Sequence, residues 1–359
     1  MKFVTTNTNG KNSGSCVYMM ASDSSYQMFK VKNQEFTFDV DVSKLPCGLN
    51  RIPYFSAMDV DGVLSKYTNN KAGAKYGTGY CDAQCSRDTK FINGEGNVID
   101  WTGASNDANS GKGRYGTCCN KMDVWEANSI STAYTPHPCS PTGQTRCDST
   151  DSSCTTTCGQ AGCDFHSYRM AVTGFYGPGS SSTIHTTKKL TAVTQFITDD
   201  GTASGALSEI RRIYVQGGKF VTNSKANISG MSSFDSGGFS KMSKAFDAGM
   251  VLVWSIWDDH TANMLWLDSN YPTDRPATQS VVTGGTCATT SGVPADIESQ
   301  SDGVQVIYSN IKFGDIGFFE LVLALFTNNT VCRLDKGPAK EELFLSIEDN
   351  VRCATCRSI

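Results

Sequence analysis

The chain has no surplus of positive charge, no long apolar run and no long amphipathic helix, and each lack removes a class of function. Lys and Arg number 31 against 35 Asp and Glu, for a formal net charge of −4. That balance offers no electrostatic footprint for nucleic acid; a neutral polymer is a better match. The longest apolar run, Leu321 to Phe326 behind Phe318 and Phe319, is far too short to span a bilayer, so no membrane partner is expected. Charged residues make up only 18%, too few for a coiled coil or a disordered chain. The first ten residues contain no apolar h-region, and no signal peptide is visible.

What the chain does have is turn formers, aromatics and cysteine. Its 34 glycines and 10% aromatics suit a strand-rich domain with many turns. A length of 359 residues accommodates one large all-β domain or two ordinary ones. Nine of the 15 cysteines cluster between Cys81 and Cys163 and read as a disulfide framework made in an oxidising compartment, which points to an extracellular protein. Zinc is the competing reading. For the Cys81-x-x-x-Cys85 and Cys118-Cys119 pairs it is disfavoured because adjacent cysteines space ligands poorly and no His lies near those pairs in sequence.

Strand signals run nearly throughout. Phe36, Phe38, Val40 and Val42 alternate with polar neighbours and predict a half-buried strand. Met250 to Trp257 is almost continuously apolar, as in a strand covered on both faces. Val304 to Phe313 alternates again. Ser240 to Phe246 predicts one short helix, and Asp235-Ser-Gly-Gly238 reads as a turn. Many strands joined by irregular loops predict an all-β sandwich whose concave face can hold an extended ligand.

Residues 118–129, Cys-Cys-Asn-Lys-Met-Asp-Val-Trp-Glu-Ala-Asn-Ser, carry the strongest chemical signal. Asp123 and Glu126 lie three apart among Met122, Val124 and Trp125. An apolar surround raises a carboxyl pKa, which keeps a general acid protonated beside a sugar. On a regular strand residues 121 and 123 share one face and 126 points to the other. Bringing Glu126 into the same cleft requires a bulge near Val124 and Trp125. Taken alone, the Asp-x-x-Glu spacing also fits a solvated strand end.

This stretch closely resembles the catalytic strand of glycoside hydrolase family 7, the fungal-type cellobiohydrolases and endoglucanases, whose pattern is Glu-x-Asp-x-x-Glu. Further segments match in order: Tyr76 to Cys85, Phe175 to Ser180, Thr186 to Leu190, Trp257-Asp-Asp, Asn263 to Asp268 and Ser309 to Gly314. The resemblance covers residues 2 to about 317. It implies a two-sheet β-jelly roll, one catalytic domain over residues 1–317, and retaining hydrolysis of cellulose or a related β-1,4-glucan by a monomer with no cofactor. It places family residues before position 1, implying a truncated start, and leaves 318–359 as a divergent tail.

By the same resemblance Glu126 is the acid/base, Asp123 the supporting carboxylate, and position 121 the nucleophile. Lys121 occupies that position in place of Glu. An ammonium with a reference pKa of about 10.4 is protonated at neutral pH and has no lone pair for attack. It also repels a cationic, oxocarbenium-like transition state. The resemblance marks Trp257 and Trp266 as sugar-stacking residues, and aromatic faces suit the C–H-rich faces of glucose; Trp254 reads as core. It places Asn50, Tyr54, Asp82, Gln84, Asp88, Lys90 and His137 in polar contact with the glucan, and Arg212 at the product end. Departures include Cys16 and Gly284 at positions of family arginines. The shorter Lys219 to Gly249 segment implies a more open cleft. The implied disulfides are Cys47–Cys287, Cys81–Cys119, Cys85–Cys118, Cys139–Cys158 and Cys147–Cys154, with Cys16, Cys163, Cys332, Cys353 and Cys356 outside the scheme. Asn227-Ile-Ser and Asn328-Asn-Thr are glycosylation sequons in an exported chain.

Overall fold

The computed structural model describes residues 1–318 apart from residue 9 and residues 106–109, 226–235 and 302. Both sequons, Cys332, Cys353, Cys356 and the tail from 319 onward therefore lie outside the described residues. Two antiparallel sheets form the body of the molecule. In chain order their strands are β1 (Ser15–Tyr18), β2 (Met28–Phe29), β3 (Gln34–Asp41), β4 (Leu49–Ser56), β5 (Lys121–Ala127) and β6 (Thr132–His137). They continue with β7 (Phe165–His166), β8 (Leu190–Thr198), β9 (Leu207–Gln216), β10 (Lys219–Thr222), β11 (Met250–Asp258) and β12 (Ile307–Asp315). One sheet runs β7-β6-β5-β4-β11-β1, with β2 also beside β11. The other runs β10-β9-β8-β3-β12.

The alternation in β3 identifies its apolar face, but the strand is buried on both faces rather than half-buried. Phe36, Phe38, Val40 and Val42 are all buried and face the opposite sheet. Ring contacts tie the layers together: Phe36 lies 5.4 Å from Phe55, Phe38 5.7 Å from Trp125, and Phe55 6.2 Å from Phe196. Each is a tilted or edge-on pair, the geometry that aromatic quadrupoles favour. On the other face of β3 Gln195 donates to Glu35 at 2.7 Å and Thr191 to Asp39 at 2.6 Å, while the buried Thr37 hydroxyl has no partner among the described residues. The alternation at β12 holds over a shorter span than the sequence suggests. Asn310 has φ 52° and the register against β3 shifts between Ser309 and Lys312, so a bulge interrupts the period-two pattern.

The helix is longer than the sequence predicts. It spans Ser236–Ala248 and takes in Ser236, Gly237 and Gly238, three of the four residues that read as a turn. Met242, Ala245 and Phe246 are fully buried at helical spacing, and Phe246 meets Phe196 at 5.2 Å. Packing of that face overrides the weak propensity of the glycines, which occupy the first turn, where they cost least. All five implied disulfides are present. Two of them, Cys81–Cys119 and Cys85–Cys118, fasten the 81–85 loop to the residues just before β5. Among the described residues no helix is long and apolar enough to cross a membrane.

Candidate active site

β5 lies between β4 and β6 in the middle of its sheet. Its register against β6 passes from Asp123↔Thr135 to Glu126↔Ala133, and against β4 from Asp123↔Tyr54 to Ala127↔Arg51. On both sides β5 carries one residue more than its partner, which is a bulge at Val124 and Trp125. The extra residue restores Glu126 to the face of Lys121 and Asp123. All three line a cavity of about 500 Å3, while Val124 and Trp125 are fully buried in the core.

Period two then supplies the walls. From β6 come Ala133, Thr135 and His137, from β4 Ile52 and Tyr54, and from β11 Ser255 and Trp257. Trp266, in the short helix Leu265–Asp268, stacks near Trp257 with ring centroids 6.2 Å apart and planes at 30°. Its indole N–H donates to Asp259 at 3.0 Å, which fixes the ring. Asp82 and Gln84 complete the wall from the disulfide-bound loop. Gln84 and Gln160 donate to each other's carbonyls at 3.0 and 2.9 Å.

The electrostatics separate the two carboxyls. Glu126 is pushed up to about 7, first by burial and then by the neighbouring Asp123 charge, against the opposing pull of Lys121. Asn50 and Thr135 donate to its two oxygens at 3.0 and 3.2 Å. Burial also pushes Asp123 upward, but the Lys121 ammonium and His137 outweigh it, and its carboxyl is held below the usual range. Lys121 Nζ lies 3.0 Å from Asp123 Oδ1, and His137 Nε2 donates to Oδ2 at 3.0 Å. For Lys121, burial favours the neutral amine; Asp123, Asp82 and Glu126 together reverse that and raise its pKa. Its ammonium also lies 4.7 Å from the Tyr54 ring centre, close enough for a cation–π contact. Gly162 makes room for His137: at φ 65° it packs so that a Cβ there would lie 2.6 Å from His137 Nδ1.

The cavity thus brings together Lys121, Asp123, Glu126, Tyr54, Asp82, Gln84, His137, Trp257 and Trp266. Four other sequence candidates are not on its wall. Asn50 is fully buried behind it, donating to Glu126 and accepting from the Ala127 amide at 3.2 Å. Arg212 is buried below β5, where its guanidinium donates to the carbonyl of Val124 and lies 5.2 Å from the Tyr134 ring centre. It therefore braces the bulge from beneath. Asp88 is half-buried away from the cavity, and burial with the Asp82 charge pushes it up to about 6; Lys90 is exposed. Sequence reasoning missed Thr135, although it is two residues before His137 and so on the same face. It also missed Asp164, His166 and Arg169, which line the cavity from loop and edge-strand positions without a periodic signal.

A buried carboxyl pushed up to about 7, a second held low beside it and a pair of stacked tryptophans make up the wall of a cleft suited to a saccharide. The family model for glycosyl hydrolase family 7 matches residues 1–236 and 231–319, and the chain belongs to that family. A family 7 cellobiohydrolase from Daphnia pulex is 48% identical, with TM-score 0.84, over 88% of this chain and 78% of that one. A cellobiohydrolase from Melanocarpus albomyces, complexed with cellotetraose, is 40% identical with TM-score 0.80 over the same shares. The Humicola insolens endocellulase EGI is 35% identical with TM-score 0.71, again over 88% and 78%.

Proposed function

We propose that residues 1–317 form a β-1,4-glucan-binding catalytic domain of the retaining type, in which Lys121 has largely silenced hydrolysis. The observation that carries this reading is the ion pair between Lys121 and Asp123, 3.0 Å long and buried. On this reading a cation stands at the position of the nucleophilic carboxylate, in a mechanism that works with its two carboxyls about 5–5.5 Å apart. In that mechanism the carboxylate at 121 attacks the anomeric carbon while Glu126 protonates the leaving oxygen. Water then displaces the enzyme with Glu126 acting as base. Glu126, raised to about 7 and held by Asn50 and Thr135, is poised for its half of this cycle. Lys121, protonated and paired, contributes nothing to the other half. Binding is a separate matter, for which Trp257, Trp266, Gln84 and Tyr54 provide the surface. The cellotetraose bound by the Melanocarpus enzyme supports a glucan as the ligand. The five disulfides support a secreted protein.

The same ion pair favours a second reading, a glucan-binding protein without catalytic duty. Calorimetric titration with cellotetraose, paired with hydrolysis of a soluble β-1,4-glucan by the chain and by Lys121→Glu, separates the two. Binding by both with cleavage by the variant alone is expected. Binding without cleavage by either favours the second reading, and absence of binding by both refutes the glucan assignment.

A further inference from the structure

Away from the cleft, three side chains from two elements converge beyond the end of β11. Asp258 is its last residue, His260 follows two positions later, and Glu298 comes from the short helix Pro294–Gln300. One ligand-type atom from each lies within 4.8 Å of the others. His260 Nε2 is 3.8 Å from Asp258 Oδ2 and 3.9 Å from Glu298 Oε1. The other two groupings of this kind among the described residues contain disulfide-bonded cysteines, whose sulfur has no thiolate to offer.

Asp258 marks this cluster as more than a chance meeting of surface acids. Its side chain is only 3% exposed, yet Oδ2 makes no hydrogen bond and faces the imidazole. A buried carboxylate oxygen without a donor is costly and calls for a counterpart. Glu298 is already divided between two tasks. Its Oε2 lies 3.5 Å from Lys11 Nζ, while Oε1 turns toward His260.

We propose that Asp258, His260 and Glu298 form a site for one divalent cation of the zinc type. An imidazole nitrogen with two carboxylate oxygens suits zinc, whereas calcium takes six to eight oxygens and magnesium a near-ideal oxygen octahedron. Zinc bonds of about 2.0–2.1 Å in a tetrahedron put ligand atoms about 3.3 Å apart. The observed 3.8 and 3.9 Å are roughly half an ångström wider. His260 and Glu298 are each 24% exposed, and small side-chain rotations would close that gap. Water would fill the fourth position. The nearby Lys11 ammonium opposes the cation and limits its affinity.

A cation here would tie the end of β11 to the helix Pro294–Gln300. The tied segment carries Trp257 on one side and Asp259, which holds the Trp266 indole, between two of the ligands. The site would therefore stiffen the back of the tryptophan platform, whether or not the cleft cleaves anything. The test is titration of the full chain, after alkylation of its thiols, with zinc chloride in a calorimeter. Melting temperature is followed in parallel for the chain, His260→Phe and Glu298→Gln. One saturable site per chain and a zinc-dependent rise in melting temperature are expected, with affinity lowered more than about tenfold in each variant. The proposal is overturned if the unaltered chain shows no saturable binding, or if both folded variants bind zinc as it does.

Discussion

On the proposed reading, changing Lys121 to Glu should turn a nearly silent cleft into a working glucanase. A unit charge about 4 Å from the anomeric carbon, at an effective dielectric near 20, changes the energy of a cationic transition state by about 4 kcal/mol. Reversing its sign doubles the swing to about 8 kcal/mol, nearly six decades of rate at 1.36 kcal/mol per decade. Screening by water in the cleft lowers that upper figure, to roughly three decades or more. Restoration of a covalent route adds to it. The assay is initial-rate release of reducing ends from a soluble β-1,4-glucan, with circular dichroism to establish folding. Lys121→Gln separates the two effects, because it removes the cation without supplying a nucleophile. It should recover much less activity than Lys121→Glu. Turnover of the unaltered chain within about tenfold of Lys121→Glu would refute the reasoning, since an ammonium would then be serving as well as a carboxylate.

Three further outcomes follow from the geometry. Replacing Trp257 or Trp266 with Ala should weaken cellotetraose binding by about tenfold, near 1.4 kcal/mol, in calorimetric titration; unchanged affinity would remove the platform from the binding surface. Arg51 is fully buried over the Tyr308 ring at 5.1 Å, with none of its guanidinium nitrogens hydrogen-bonded. Arg51→Leu should therefore raise unfolding free energy in urea by about 1–3 kcal/mol, and a loss of stability would contradict this. Glu126 is raised from 4.5 to about 7, so between those values the folded chain binds more protons than the unfolded one and stability falls as pH rises. Asp88, Asp258 and Asp268, each raised to about 6, act in the same direction. Urea midpoints should decline from pH 4.5 to 7, and Glu126→Gln should make that decline shallower; an equal slope in the variant would show that Glu126 titrates normally.

The strands were legible where one periodicity and one face governed them. Phe36 to Val42 needed only period two, and Glu126 could join Asp123 only through a bulge, so the bulge followed from the chemistry demanded of it. The helix Ser236–Ala248 was half hidden because Gly237 and Gly238 read as a turn, and its apolar face matters only once Phe196 is there to receive it. Side-chain direction next to the bulge was not legible either. Asn50 and Arg212 both act on β5, yet from behind and beneath it, and that depends on where neighbouring strands cross. Thr135 was recoverable from His137 by counting two residues back. His166 and Arg169 had no such anchor, because their loop approaches the cleft from an edge.

On the proposed reading, Lys121 removes the chemistry of the site without removing its shape. With Glu126 titrating near 7 and Lys121 paired to Asp123, the buried cluster is close to neutral at mildly acidic pH. A Glu at 121 would put three carboxyls in the same pocket. Each would raise the pKa of the others and oppose burial. It would also remove the cation from the Tyr54 ring. The catalytically competent arrangement is therefore the less stable one, as sites tuned for chemistry commonly are. Lys121→Glu should consequently move two observables in opposite directions, raising turnover and lowering the urea midpoint. That opposition is specific to a nucleophile position. A substitution that merely repaired a damaged fold would raise both together.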